Sequence, residues 1–276
     1  MGAMATELRD KVIVITGGAQ GIGATTARAL ARLGARVAIG DVDQVRAEKL
    51  AGELDALALP LDVTDGRAFG EFLDEVERRL GPVDVLVNNA GIMLLAPLEQ
   101  EDDEATTRQL EINLHGVIHG TREAIKRMRP RARGHIVNVA SMAGKAGFPG
   151  AATYCATKHA VVGLSEAVRL ELRGSGVDIS CVMPAVVRTH LADGLVETKM
   201  FKSLQPEDVA RAIVDVVRRP RFDVYVPRSL DVTGRLGRLV PRAVSEWFIH
   251  AVGADKVFMG ARSGERAEYE ARVRRS

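Results

Sequence analysis

The chain has 276 residues, 46% of them hydrophobic, which suits the core of one large α/β domain or two small ones. Its 38 basic and 36 acidic side chains leave a net charge of +2, so no global field draws nucleic acid or an anionic membrane to it. No opening run has the pattern of a secretory signal and no stretch has the unbroken apolar length of a membrane span, which predicts a cytoplasmic protein. Cys155 and Cys181 lack metal-ligand spacing and are expected as small buried hydrophobes.

The first candidate strand is Lys11–Thr16, whose Val12-Ile13-Val14-Ile15 is continuously apolar, as a strand covered on both faces should be. It runs into Gly17-Gly18-Ala19-Gln20-Gly21-Ile22-Gly23 and then a helical pattern over Ile22–Leu33. Glycines at a strand-to-helix junction permit a tight turn, close backbone approach to a pyrophosphate and close helix–strand packing. The N–H groups and dipole of the following helix favour the phosphate charge. A second strand, Arg36–Gly40, ends at Asp41. An acid there can accept from the adenosine ribose hydroxyls and repels a 2′-phosphate, so NAD is expected in preference to NADP. If Asp43 caps the next helix, Asp41 is left for the cofactor.

Further strands are predicted at Ala56–Leu61, Val83–Asn88, Gly134–Ala140, Asp178–Val182 and Asp223–Val226, separated by helical segments. The alternation indicates an α/β fold: a doubly wound, Rossmann-like parallel sheet of about seven strands with helices on both faces. One domain is expected over residues 8–228. Residues 229–276 read as a helical extension with recurring apolar positions, among them Leu236, Val244, Trp247, Phe248 and Phe258. It is expected to cap the substrate entrance, form an interface or touch a membrane surface. Its last part, where Arg262, Arg266, Arg272, Arg274 and Arg275 alternate with Glu265, Glu268 and Glu270, reads as a solvated, frayed helix.

Tyr154 and Lys158 stand four residues apart, on one face of a helix and within reach of a common ligand. A cation beside a phenol favours its ionised form, so Lys158 is expected to lower the Tyr154 pKa. Ser141 lies thirteen residues upstream of Tyr154, at the carboxyl end of the fifth strand, facing the crevice where open α/β sheets bind ligands. His115 and His119 have a metal-compatible spacing but lack an evident third ligand, so no metal is expected.

Taken together, the Thr16–Gly23 turn, Asp62-Val63, Asn88-Asn89-Ala90-Gly91, Asn113, and Ser141 with Tyr154 and Lys158 make the chain resemble the short-chain dehydrogenase/reductase family over roughly Lys11 to Val226. The resemblance implies that Asp62 contacts the adenine amino group and Val63 lines that pocket. Asn88, Asn89, Ala90 and Gly91 would run beside the cofactor and steady the sheet. It also implies that Pro184, Val187 and Thr189 hold the nicotinamide carboxamide, with Ala185 standing where the family has glycine. Ser141 would bind the substrate oxygen and Tyr154 would exchange its proton. Lys158 would hold the nicotinamide ribose, and Asn113 would support a water linking Lys158 to solvent. The family pairs through long helices, here Asp102–Met128 and Thr153–Arg173. A homodimer is expected rather than a tetramer, because Asp223–Pro227 leads into the extension without the family's terminal glycine pair.

The expected pocket walls are Ile92–Ala96, Gly144–Gly150 with Phe148, and a mobile lid over Leu191–Lys202 with Leu195, Val196, Met200 and Phe201. Few fixed charges stand there, Lys145 and Lys199 being exceptions, so a hydrophobic secondary alcohol or ketone of steroid, retinoid or fatty-alcohol type is expected. The competing expectation is a cofactor-binding regulatory protein of the same fold with little turnover. A sugar-nucleotide epimerase would need a larger domain after the core.

Overall fold

The computed structural model describes residues 8–195, 203–230, 258 and 263–275. Seven strands form one sheet: β1 (Val12–Thr16), β2 (Arg36–Asp41), β3 (Leu57–Pro60), β4 (Val85–Asn88), β5 (Gly134–Val139), β6 (Val177–Pro184) and β7 (Asp223–Val226). Their order is β3-β2-β1-β4-β5-β6-β7, and every neighbouring pair is parallel. Chain order reverses beside β1, between β2 and β4, and open sheets bind ligands at such a switch point.

Alternate residues of each strand enter opposite layers. Ile13, Ile15, Val37 and Ile39 pack with Leu30 of α1 (Gly21–Ala31), Leu50 of α2 (Gln44–Leu54) and Ile213 of the helix Pro206–Arg218. Val12, Val14 and Ala38 face Phe69 and Leu73 of α3 (Gly66–Leu80), and that layer also holds Met128 and Val168. Both faces of the sheet are therefore covered, which is why its strands read as unbroken apolar runs.

The stretch expected as one helix over Asp102–Met128 is divided. It runs as α4 (Asp103–Leu110), a π-helical turn (Glu111–His115) and α5 (Gly116–Met128). At the turn the Gly116 N–H donates to the Glu111 carbonyl, five residues back, and the widened backbone is centred on Asn113. Then come α6 (Ala152–Glu171), α7 (Pro206–Arg218) and α8 (Ser263–Arg275). No helix among the described residues is long and apolar enough to cross a membrane. The apolar positions between 232 and 257, and residues 196–202 of the expected lid, lie outside the described residues.

One core group makes stability depend on acid. His135, in the middle of the sheet, lies 2.8 Å from Ser180 Oγ, and that hydroxyl donates its own proton to the Arg221 carbonyl. Nε2 must then be the donor to Ser180, which leaves Nδ1 buried without a partner. Burial pushes the imidazole pKa down to about 4 from 6.5. Between those values the unfolded chain binds the proton and the folded one does not, so stability falls as pH drops from 6.5 towards 4. The loss at the acid end is roughly 3 kcal/mol. Replacing His135 with Gln, which keeps a donor for Ser180 but does not titrate, should flatten this limb in urea denaturation. Parallel pH curves for parent and variant would contradict the assignment.

Candidate active site

The glycine turn is built against the end of β4. Gly17 has φ +61°, and a Cβ there would lie 2.7 Å from the Ala90 Cα. At Gly23 a Cβ would overlap the Gly17 carbonyl and come within 2.7 Å of Asn89 Nδ2. That amide donates to the carbonyls of Thr16 (3.0 Å) and Gly17 (2.9 Å), while Thr16 Oγ1 accepts from the Asn89 and Ala90 N–H groups. The turn delivers the N-terminus of α1, where Gln20 makes no side-chain cap. By contrast α2, α3 and α4 are capped by Asp43, Asp65 and Asp102. A cradle that admits only glycine, below a helix end with no protein cap, fits a dinucleotide phosphate.

Asp41 closes β2 and does not cap α2, since Asp43 does so. Its Oδ2 accepts the Ala19 N–H at 2.9 Å and its Oδ1 the Asp43 N–H at 3.0 Å, fastening the glycine turn to the end of β2. Burial raises its pKa, against the pull of those two N–H groups. A cation overlooked in the sequence stands nearby: Arg46 donates to Gln20 Oε1 at 2.8 Å and pairs with Asp43 at 3.2 Å. Further along, the Asp62 carboxylate accepts from the Thr64 N–H and hydroxyl. Val63 is buried, and its carbonyl contacts His119 Nδ1. The His115 and His119 ring centres are 6.5 Å apart, and no cluster of three metal-compatible side chains occurs among the described residues.

Thr189 leans over the turn from the other side, its methyl 3.2 Å from where a Gly21 Cβ would be. Val187 bridges to Leu204, and Pro184 ends β6. Ala185 has no left-handed backbone and donates to the Val226 carbonyl at 2.8 Å, so alanine fits where the family has glycine.

Ser141, Tyr154 and Lys158 meet at the carboxyl ends of the strands. The Ser141 hydroxyl accepts from the Ala143 N–H and bonds the Tyr154 phenol. Lys158 Nζ lies 5.6 Å from the centre of the Tyr154 ring and donates to the Val139 carbonyl at 3.1 Å. It would be 3.6 Å from a Cβ on Gly91. The expected lowering of the phenol pKa by this lysine is reversed in the free protein. Tyr154 is only 7% exposed, and burial drives its pKa upward, with the Ser141 bond opposing. Burial likewise pushes Lys158 down to about 8. Asn113 has both ends of its amide on the main chain of one residue: Oδ1 accepts the Ile92 N–H and Nδ2 donates to the Ile92 carbonyl, each at 2.8 Å.

Met93, Ala143, Ala151, Cys155, Phe258 and the edges of Leu95, Phe148 and Leu191 surround Tyr154. Ile92 and Leu94 turn the other way, toward Tyr269 and Val273 of α8. Lys145 pairs with Glu166 at 3.4 Å. The terminal arginine run is not a solvated, frayed helix throughout, because α8 docks on the site and buries Arg266 to 5% exposure. Arg266 and Tyr269 are site-side residues that the sequence reading missed, whereas Phe258 was among the apolar positions named in the extension. A spacing signal was present, since Arg266, Tyr269 and Val273 share one helix face, but the alternating charge around them masked it. A separate groove of about 780 Å³ runs along α7 and β7 between Arg211, Arg218 and Arg228. It has no contact with the Tyr154 cluster.

The fold and this site together define a short-chain dehydrogenase, and the chain belongs to that family: its model, described as short chain dehydrogenase, matches residues 11–200. Among individual relatives, an uncharacterized oxidoreductase of Staphylococcus saprophyticus is 33% identical, over 77% of this chain and 92% of its own length. A 3-alpha-(or 20-beta)-hydroxysteroid dehydrogenase of Mycobacterium tuberculosis is 35% identical, over 76% of this chain and 84% of its own. A short-chain dehydrogenase/reductase of Burkholderia phymatum, solved in complex with NAD, has a TM-score of 0.77 at 28% identity. That match covers 84% of this chain and 94% of the other.

Proposed function

We propose that the chain is an NAD-dependent dehydrogenase or reductase acting on a hydrophobic secondary alcohol or ketone, in a homodimer formed through α4, α5 and α6. The observation that carries this reading is the meeting of Ser141, Tyr154 and Lys158 beside Gly91, within an apolar enclosure. The hydroxysteroid substrate in the name of one relative and the NAD in the solved neighbour support it.

Bound nicotinamide would supply the hydride chemistry. Gly17, Gln20, Gly21, Ile22 and Gly23 would hold its pyrophosphate and Asp41 the adenosine ribose. Asp62 and Val63 would flank the adenine, Asn89, Ala90 and Gly91 the middle, and Pro184, Val187 and Thr189 the carboxamide. Ser141 would fix the substrate oxygen next to the Tyr154 hydroxyl. The phenol is protonated in the free protein because burial raises its pKa, which readies it to give a proton to a ketone oxygen. For alcohol oxidation the phenol must first lose that proton, and the Lys158 ammonium would stabilise the phenolate that then takes the proton of the alcohol. Because the Asn113 amide is committed to Ile92, a water linked to Lys158 would have to use the Asn113 main chain.

The cofactor reading has a direct test. Asp41→Ala should reduce the NAD-to-NADP ratio of kcat/KM by about tenfold or more, as removal of one close charge repulsion would. Equal use of both cofactors by the parent would refute the role given to Asp41. A panel of hydrophobic alcohols with NAD, followed by NADH absorbance, tests the activity itself. Failure across the panel would favour the regulatory protein of the same fold.

A further inference from the structure

Helix α8 lies beyond the residues matched by the family model, yet one face of it enters the site. Arg266, Tyr269 and Val273 are buried, while Ala267, Glu268 and Arg272 between them are exposed. The Arg266 guanidinium donates to the Leu191 carbonyl at 2.8 Å, to the Asp193 carbonyl at 3.5 Å and to the Met93 carbonyl. Its Nε pairs with Glu270 at 2.9 Å. Met93 belongs to the loop after β4 and Leu191 to the loop after β6, so a single side chain joins two loops at the carboxyl ends of the strands.

Neighbouring residues of α8 reinforce that grip. Tyr269 Oη accepts the Met93 N–H at 3.1 Å, and Glu270 accepts the Leu95 N–H at 3.3 Å. The far end of the helix is tied to α4, through Arg108 to the Val273 carbonyl and Arg274 to Asp102. The loop carbonyls that Arg266 serves lie outside the sheet ladder and need a donor if buried. A planar fork with five donors can serve several at once, and its charge strengthens each bond. Glu270 balances that charge. Meanwhile the Met93, Leu95 and Leu191 side chains face the Tyr154 cluster.

We propose that Arg266 is a positioning residue for the substrate pocket: it fixes Met93–Leu95 and Leu191–Asp193 as facing walls over Tyr154 and so determines which alcohols are held productively. The effect on catalysis rests on the dehydrogenase reading, whereas the joining of the two walls does not.

The test compares parent, Arg266→Met and Arg266→Lys as full chains. Amide hydrogen exchange should accelerate about tenfold in Arg266→Met at Met93–Leu95 and at Leu191–Asp193 together, with β1 and β2 unchanged. With 2-octanol, or the best alcohol of the panel, KM should rise about tenfold in Arg266→Met while kcat changes much less, since loosened walls remove binding that substrate and transition state share. NADH affinity, read by fluorescence, should stay within about twofold. Arg266→Lys, which keeps a charged donor, should recover part of the KM. Unchanged exchange in Arg266→Met, or acceleration at only one of the two loops, would overturn the proposal, as would an unchanged KM. If the parent oxidises no alcohol, the dehydrogenase reading fails by itself, and the exchange result alone decides for or against the joined walls.

Discussion

Tyr154→Phe is expected to lower kcat by roughly a thousandfold, within the range for loss of a positioned acid–base group, while NADH binding stays close to that of the parent. The substitution removes one oxygen and keeps the ring that packs with Met93, Cys155 and Phe258, so the fold has little to lose. Losing the oxygen also removes a buried hydroxyl whose bond is to Ser141, and Ser141 keeps its Ala143 N–H. Any large effect therefore belongs to proton transfer and not to collapse of the site. Steady-state kinetics in both directions, with a parallel fluorescence titration of NADH, separates the two. Turnover within tenfold of the parent would remove Tyr154 from the mechanism.

Gly23→Ala should abolish cofactor binding and cost about 1–3 kcal/mol of stability, as overpacking of a tight site does. The added methyl would meet main chain at Gly17 and Gly18 and the amide of Asn89, none of which can move without opening the turn. Opening the turn breaks the bonds from Asn89 to the Thr16 and Gly17 carbonyls. Gly52→Ala is the matched control. It lies in α2 with open space around its would-be Cβ, and alanine there should raise stability by about 0.5–1 kcal/mol. Calorimetry of both variants with and without NADH reads stability and binding together. A Gly23→Ala protein that still shifts its melting temperature with NADH would show that the turn does not carry the cofactor.

The central strands were readable because they are buried on both faces, as in Val12–Thr16 and Val85–Asn88, and two-sided burial writes an unbroken apolar run. The glycine turn and the Tyr154–Lys158 spacing were readable because local geometry alone restricts their residue types. The π-helical turn at Asn113 was not, since a hydrogen bond from five rather than four residues back leaves no mark on composition. Arg266 was hidden for a different reason. Its partners are main-chain carbonyls at Met93, Leu191 and Asp193, which any sequence would supply, so only the docking of α8 distinguishes it from a solvated arginine. The direction of the Tyr154 pKa was hidden similarly: the spacing revealed the nearby cation but not the depth of burial that raises the phenol pKa.

The bonds between the first turn and the end of β4 also bear on the order in which the protein is made. Asn89 and the Thr16 carbonyl it holds are 73 residues apart, and β1 is flanked by β4 as well as by β2. A nascent chain that has emerged only as far as β3 has its glycines but no floor beneath them: Ala90 has not arrived to pack on Gly17, and nothing pins the two carbonyls. The nucleotide cradle therefore comes into being during synthesis only when the fourth strand slots in beside the first. Until that moment the turn is tied only to the end of β2, through Asp41 and the Gly40 carbonyl.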